Sequence, residues 1–371
     1  FSPLVMASDL RNADSIAGAQ RVVAGANAGD PGRIEYLLLH HVAGLTAQVF
    51  TLYAAFQNPA NLLDSASRRQ LWQKRISFDS SLTSRHFCSN AAGLALDGEN
   101  IYILCNRGFA PNTADVPYEN GSGVTLYQTD FSVSTPLIPW GDVLPHDFSD
   151  HALVDSDEVA HTVREDMGAC ALLFDTQANL LCGATAPVAM ARCPRNTNPH
   201  GQFQTMEPGL YHVYSRWPGA WSSDPIPPRL KPVGGAPGAI DFAVRFPSLR
   251  ADEMQGASKI WDGRVNALQT FLDGGVLRVW ALVYTWHIDC DDDDGGTPSA
   301  RWALVHTATA DRVHWSPPVE VKELARTFVQ DEIDTYPLYR AFALYKKSNG
   351  YAMIVMRRTY SGSAEYKFFQ E

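Results

Sequence analysis

The chain has 371 residues, a formal net charge of −10 and 45% hydrophobic residues. The acidic balance argues against nucleic acid or an anionic membrane surface as partner, and the apolar content is enough for a large core. No apolar run approaches the ~18 residues that cross a bilayer, so no membrane span is expected.

The chain opens on FSPLVMAS, without an initiator Met, and is read as a mature or trimmed form from which any targeting segment has been removed. Residues 20–42, QRVVAGANAGDPGRIEYLLLHHV, predict a β-hairpin turning at Asp30, Pro31 and Gly32. LLDSASRRQLW is the one stretch with room for a helical turn or two. GLALDGENIYILC (93–105) predicts a second hairpin, turning at Asp97 and Gly98, and ACALLFDTQANLLCGA (169–184) a third. NALQTFLDGGVLRVWALVYT (266–285) turns at Asp273, Gly274 and Gly275, and RAFALYKKSNGYAMIVMRR (340–358) at Ser348, Asn349 and Gly350. Asp-Gly, Gly-Gly and Asn-Gly supply the positive φ angles that tight hairpin turns require.

The five turns centre near residues 30, 98, 177, 274 and 349, so five related units share the chain. A second signal follows the hairpins. LYQTDFSVSTPL, VYSRWPGAWSSDP and VHTATADRVHWSPP align on Thr129, Ser215 and Thr309, with Thr135, Trp221 and Trp315 six residues on. This resembles a degenerate form of the turn between third and fourth strands of sialidase-like and lectin-like propeller blades. Each unit then reads as four antiparallel strands, and the expected fold is all-β, one propeller domain over 1–371 with five four-stranded blades. The last unit has only AEYKFFQE after Arg358, enough for a third strand, and SPLVMAS at the N-terminus is expected to pair there and close the ring. A six-blade count is the alternative, with PVGGAPGAIDFAVRF (232–246) as part of its own blade.

The six cysteines and the NGS sequon at Asn120, a glycosylation candidate, point to the secretory pathway or the extracellular space. Cys170 and Cys182 lie symmetrically about a turn at Thr176, opposite each other within disulfide reach. Cys88 and Cys105 flank the second hairpin, leaving Cys193 and Cys290 as the third pair, although connectivity is not fixed by spacing. Free buried thiols are the competing reading.

In a propeller the starts of first strands and the ends of second strands open on one face, where a pocket forms. The starts offer His86, His161, Trp261, Arg264, Tyr336 and Arg340. The ends offer Arg107, Tyr284, Trp286, His287 and Arg358, with His40 and His41 on opposite faces of their strand. Cationic groups among large aromatics suit a rigid organic ligand bearing an enolate, phenolate or carboxylate. The plain alternative for each residue is a rim ion pair. HDFSDH (146–151) reads better as part of a lid than as a metal site, and DCDDDDGG (289–296) as an exposed acidic loop, so no metal is expected. A glycosidase needs a carboxylate pair, for which Asp9, Asp14, Glu165, Asp262 and Asp334 are the strand-start candidates.

No nucleophile elbow, HExxH, P-loop or dinucleotide fingerprint occurs. With that absence, the length, the cysteine count, the sequon and hairpins such as GLALDGENIYILC, the chain resembles the fungal secretory-pathway hetero-Diels–Alderases of tropolonic sesquiterpene biosynthesis. The resemblance implies a pericyclase that needs no cofactor and joins a tropolone-derived o-quinone methide to a humulene-type alkene. Its partners are then small hydrophobic or aromatic organic substrates. In that chemistry Arg264, Arg340, Arg358, His161 and His287 would serve as polar catalytic groups. Trp261, Trp286, Tyr336, Tyr284, His86 and Arg107 would bind and orient the substrates. A secreted carbohydrate-binding propeller lectin or a glycoside hydrolase is the alternative.

Overall fold

The computed structural model describes residues 10–25, 32–44, 47–77, 90–107, 123–142, 151–154, 160–163, 167–172, 180–192, 202–214, 229–230, 244–245, 259–289, 298–311, 314–327, 338–359 and 362–370. Side chains are described within 10–25, 32–44, 47–77, 93–105, 126–138, 265–284, 301–311, 314–325, 339–359 and 362–370.

These residues are nearly all β. The first sheet is a four-stranded antiparallel meander of β1 (Ser15–Val23), β2 (Arg33–Ala43), β3 (Ala47–Phe56) and β4 (Arg69–Ser77). The second repeats the pattern with β5 (Asn90–Asp97), β6 (Asn100–Arg107), β7 (Gly123–Asp130) and β8 (Ile138–Asp142). A two-stranded ribbon follows, β9 (His151–Val154) with β10 (Ala160–Val163), just after the segment read as part of a lid, which apart from His151 lies outside the described residues. The third sheet holds β11 (Met167–Leu172), β12 (Leu180–Arg192) and β13 (Gln202–Tyr214). The short β14 (Arg229–Leu230) and β15 (Val244–Arg245) both pair with β13. The strand within the 232–246 insertion, β15, thus joins the third sheet and not one of its own. The fourth sheet is β16 (Lys259–Asp273), β17 (Val276–Asp289), β18 (Pro298–Thr309) and β19 (Val319–Thr327). The fifth has three strands, β20 (Leu338–Lys347), β21 (Gly350–Arg358) and β22 (Ala364–Gln370).

All five predicted hairpins form antiparallel pairs; the first pairs Val23 with Arg33, a register offset from the one that a turn centred on Pro31 would give. Where the turns are described, Gly98, Gly274, Gly275 and Gly350 have positive φ, the backbone state that selected glycine at these positions. The helical turn forms earlier than LLDSASRRQLW suggested. A 3-10 helix spans Pro59–Leu63, capped by the Asn58 side chain accepting from the Ala60 N–H at 3.1 Å, and Arg69 already begins β4. Among the described residues no helix is long and apolar enough to cross a membrane.

Two compact units result. One comprises Phe1–Thr113, Val124–Leu144 and Pro337–Glu371; the other comprises Ala114–Gly123 and Pro145–Tyr336. In the first, β1 packs against β20 on one side and β5 on the other. β2 is accordingly covered on both faces, which is why LLLHH is a continuous run without polar alternation. Leu38 and Tyr36 join Ile16, Tyr345, Ile354 and Met356 in one core cluster, while Leu37 and Leu39 join Phe50, Trp72, Ile101 and Tyr127 in another. Gly18 permits the close approach of β1 to β20, since a Cβ there would lie 2.6 Å from the Ala343 Cβ. In the second unit β16 packs against β11, β12 and β13.

The aligned third-to-fourth-strand turns exist and are organised by aspartates. Asp130 accepts the Ser132 N–H at 2.7 Å and the Thr135 hydroxyl at 2.8 Å. Asp311 accepts the His314 N–H at 2.7 Å, and Thr309 bridges to Trp315. The copy at Ser215 and Trp221 lies outside the described residues. A buried lysine ties the first of these turns to the neighbouring sheet: the Lys74 Nζ donates to Thr129 Oγ1 at 2.5 Å, to Ser132 O at 2.9 Å and to Thr135 O.

Cys170 stands directly opposite Cys182 in the β11–β12 register. Cys105 is disulfide-bonded, and its expected partner Cys88 lies outside the described residues, as do Cys193, Cys290 and Asn120.

Candidate functional site

The first unit gathers charged side chains at the starts of β1 and β20 and the ends of β2 and β21. Asp14 stands just before β1 and is nearly buried. Its Oδ2 accepts the Ala43 N–H at 2.7 Å, and its Oδ1 accepts from the Arg358 Nη1. Arg358 is fixed from behind, because its Nε donates to Gly362 O at 3.0 Å across the turn that leads into β22. The Asp14 N–H donates to His41 O at 2.9 Å, which locks the carboxylate to the end of β2.

Beneath Asp14, the His41 Nδ1 lies 3.2 Å from the Ser15 hydroxyl, and the ring stacks on Phe50 with centroids 4.8 Å apart. Full burial lowers the imidazole pKa to about 4; the Asp14 charge and a hydrogen bond with Gln48 pull it upward, and His40 adds a small push down. His40 faces the other side of β2, edge-on to Tyr53 at 6.3 Å, as strand alternation requires.

Arg340 completes the group. β20 and β21 pair Tyr339 with Arg357 and Ala341 with Met356, so Arg340 is the extra residue of a β-bulge. First strands shift register at a comparable level in β5, between Ala91 and Gly93, in β11, between Met167 and Cys170, and in β16, between Val265 and Ala267. Burial lowers the Arg340 guanidinium pKa, the Arg358 charge lowers it further, and Asp14 opposes both. Among the described residues Arg340 has no hydrogen-bond or ion-pair partner. The neighbouring Arg357 is engaged with Glu365 at 2.6 Å, and the Tyr339 hydroxyl accepts from Lys367 at 2.7 Å.

Of the predicted site residues, the structure therefore joins Arg358 to Asp14 and sets Arg340 within the field of both. Arg264 stands opposite Tyr284, and Trp261 opposite His287, in the β16–β17 register, with Trp286 opposite Asp262. The Tyr284 ring packs on Trp302 at 5.0 Å. His161 lies on β10 opposite Leu153, and Arg107 ends β6. His86, Tyr336, Asp9, Glu165 and Asp334 lie outside the described residues. The contributions of Ser15 and Gln48 were not read from the sequence, where short polar residues inside a strand carry no distinguishing pattern. Among the described residues no three metal-ligating side chains gather.

Among the described residues two guanidiniums stand beside one carboxylate here, and the carboxylate is held by a backbone N–H and an arginine. Such an arrangement can hold hydroxyl groups at the carboxylate and anionic oxygen at the guanidinium.

No family model matches the chain, and no curated protein matches it. Among solved structures, a thermostable family-43 glycoside hydrolase is similar at 9% identity over 95% of this chain and 90% of that one, with a TM-score of 0.41. A second structure described as a glycoside hydrolase gives 11% identity, 96% and 88% coverage and a TM-score of 0.39. A levansucrase variant from B. megaterium gives 8% identity, 95% and 81% coverage and a TM-score of 0.46.

Proposed function

We propose that the chain is a five-bladed β-propeller that binds and processes carbohydrate at the strand ends around Asp14 and Arg358. Five successive meander sheets support the propeller, as does the side-by-side packing of β20, β1 and β5. At the outer edge of the three-stranded fifth sheet, the Ala364 N–H donates to Arg11 O at 2.7 Å and the Tyr366 hydroxyl to Leu10 O at 2.7 Å. Leu10 and Arg11 thus lie beside the edge where a fourth strand would complete that blade.

The observation that carries the carbohydrate reading is the Asp14 carboxylate, set at a strand start between the Ala43 N–H and Arg358. Glycoside chemistry runs on a pair of carboxylates, of which Asp14 would be one, and lectin sites use a carboxylate and an arginine to hold hydroxyl groups. The test is a glycan array together with hydrolysis of a panel of neutral and acidic aryl glycosides. Binding or turnover that Asp14→Asn abolishes while the far-UV spectrum persists and the variant is still folded at the assay temperature is the expected result. No binding and no turnover on any glycan overturns the reading.

The unengaged Arg340 favours a second reading, a hetero-Diels–Alderase of the secretory pathway in which Arg340 and Arg358 stabilise oxygen charge as a tropolone-derived o-quinone methide forms and reacts. Incubation with a quinone-methide precursor and a humulene-type alkene tests it. A product ratio and stereochemistry identical to a control without protein remove it.

A further inference from the structure

We propose that Arg340 is the anion-recognition residue of this site and that the ligand carries an anionic oxygen pair. The ligand class is an acidic sugar with a ring carboxylate, on the carbohydrate reading above, or a tropolonate, on the second; the shared chemistry is a planar pair of oxygens sharing one negative charge. The inference rests on the site being a ligand site and adds which chemical group the ligand must bear.

Three independent features point there. The first is geometric. A bulge takes Arg340 out of the alternation of β20, between Tyr339 and Ala341, and bulges next to binding sites re-aim a side chain that a regular strand would bury in the sheet. The fourth sheet has Asn266 at the matching place, between Val265 and Ala267, so the cationic group is particular to the fifth sheet and not a requirement of the bulge.

The second is pairing. Arg358 has its carboxylate in Asp14 and its carbonyl in Gly362, and Arg357 has Glu365. Arg340 alone of the three arginines at this end lacks a protein acceptor among the described residues. The third is charge. Arg340 is partly desolvated and lies within the field of a second guanidinium, a cost that an incoming anion removes. A guanidinium offers parallel N–H donors that match a carboxylate in a bidentate fork, which a lysine ammonium does not.

Isothermal titration of the full chain with glucuronate and galacturonate against glucose and galactose, and with tropolone against its methyl ether, tests the assignment. Wild type, Arg340→Ala and Arg340→Gln are compared, the second variant keeping length and polarity. The anionic member of a pair is expected to bind on the order of ten- to a hundredfold more tightly than its neutral parent in wild type. That preference is expected to collapse in both variants, with binding of the neutral parent unchanged, and to weaken with salt in wild type only. A preference for uronate assigns the acidic sugar, and a preference for tropolonate alone assigns the second ligand; either supports the role of Arg340. No preference for the anionic member of either pair, or a preference that survives in both variants, overturns the inference; sugar binding in that case leaves the carbohydrate reading standing. Binding of none of the probes overturns both.

Discussion

Arg358 and Asp14, 344 residues apart in the chain, meet as an ion pair at the mouth of the first unit. The contact joins the last hairpin to the residue that precedes the first strand. It also sets the two groups on which the proposed site depends. Removing one partner leaves the other charge in a poorly hydrated place, and this costs more than the pair itself is worth. Asp14→Asn and Arg358→Gln are each expected to lower unfolding free energy by about 1–3 kcal/mol, with a double variant less destabilised than the sum. Urea titration of the four proteins measures the coupling; strict additivity would show that the pair is not formed in solution.

His41 gives a pH dependence whose sign follows from burial. Its pKa falls from 6.5 in the unfolded chain to about 4 in the folded one, so the unfolded chain takes up a proton in this interval that the folded chain does not. The stability associated with a neutral His41 is complete above pH 6.5 and is lost as pH falls toward 4, by about 3 kcal/mol over the whole window. Asp14, His40 and Arg358 lie close to it, so the comparison must isolate the imidazole. In His41→Gln the slope of unfolding free energy against pH between 6.5 and 4 is expected to be shallower than in wild type. Equal slopes in the two proteins would refute the assignment.

Lys74 acts as a rivet between the first and second sheets. Its ammonium is buried over the Trp72 ring at 4.9 Å and donates to two turn carbonyls and one hydroxyl. Burial lowers its pKa, with Asp130 pulling in the opposite direction. Lys74→Met preserves the stem and removes every donor, leaving Ser132 O and Thr135 O without this partner. A loss of about 2–3 kcal/mol is expected in chemical denaturation. A variant as stable as wild type would mean the turn finds water in place of the amine.

Gly18 offers a test of how β1 packs on β20. A methyl group at this position meets the Ala343 Cβ at 2.6 Å, closer than two carbons can sit, so one strand must move. Gly18→Ala is expected to cost about 1–3 kcal/mol, and Ala343→Gly in the same chain to restore part of it. No rescue in the double variant would show that the strain lies elsewhere.

The hairpins were legible because their information is local. Asp97-Gly98, Gly274-Gly275 and Asn349-Gly350 place residues that tolerate positive φ between two apolar runs, and all three turns formed where those dipeptides stand. The aligned Thr129 and Thr309 were legible for the same reason, since Asp130 and Asp311 organise their turns through side chains within a few residues. The two-stranded ribbon at His151–Val154 and Ala160–Val163 was not read from the sequence, because neither four-residue strand is long enough to show periodicity against polar neighbours.

The site was legible only as a set of candidates. Strand position alone selected Arg340, Arg358, His41 and Asp14, along with residues on other sheets, because any strand start or end qualifies. What the sequence by itself determined is the repeating hairpin, the opposed Cys170 and Cys182, and the short final unit, all of which depend on neighbours along the chain. Which carboxylate meets which guanidinium, that Arg340 sits on a bulge, and that the Arg11 carbonyl takes the Ala364 N–H were decided by tertiary structure alone. The ion pair and the Arg11–Ala364 bond join residues hundreds of positions apart and arise from how whole sheets pack, while the bulge depends on the pairing of β20 with β21, and no local pattern in the chain records any of the three.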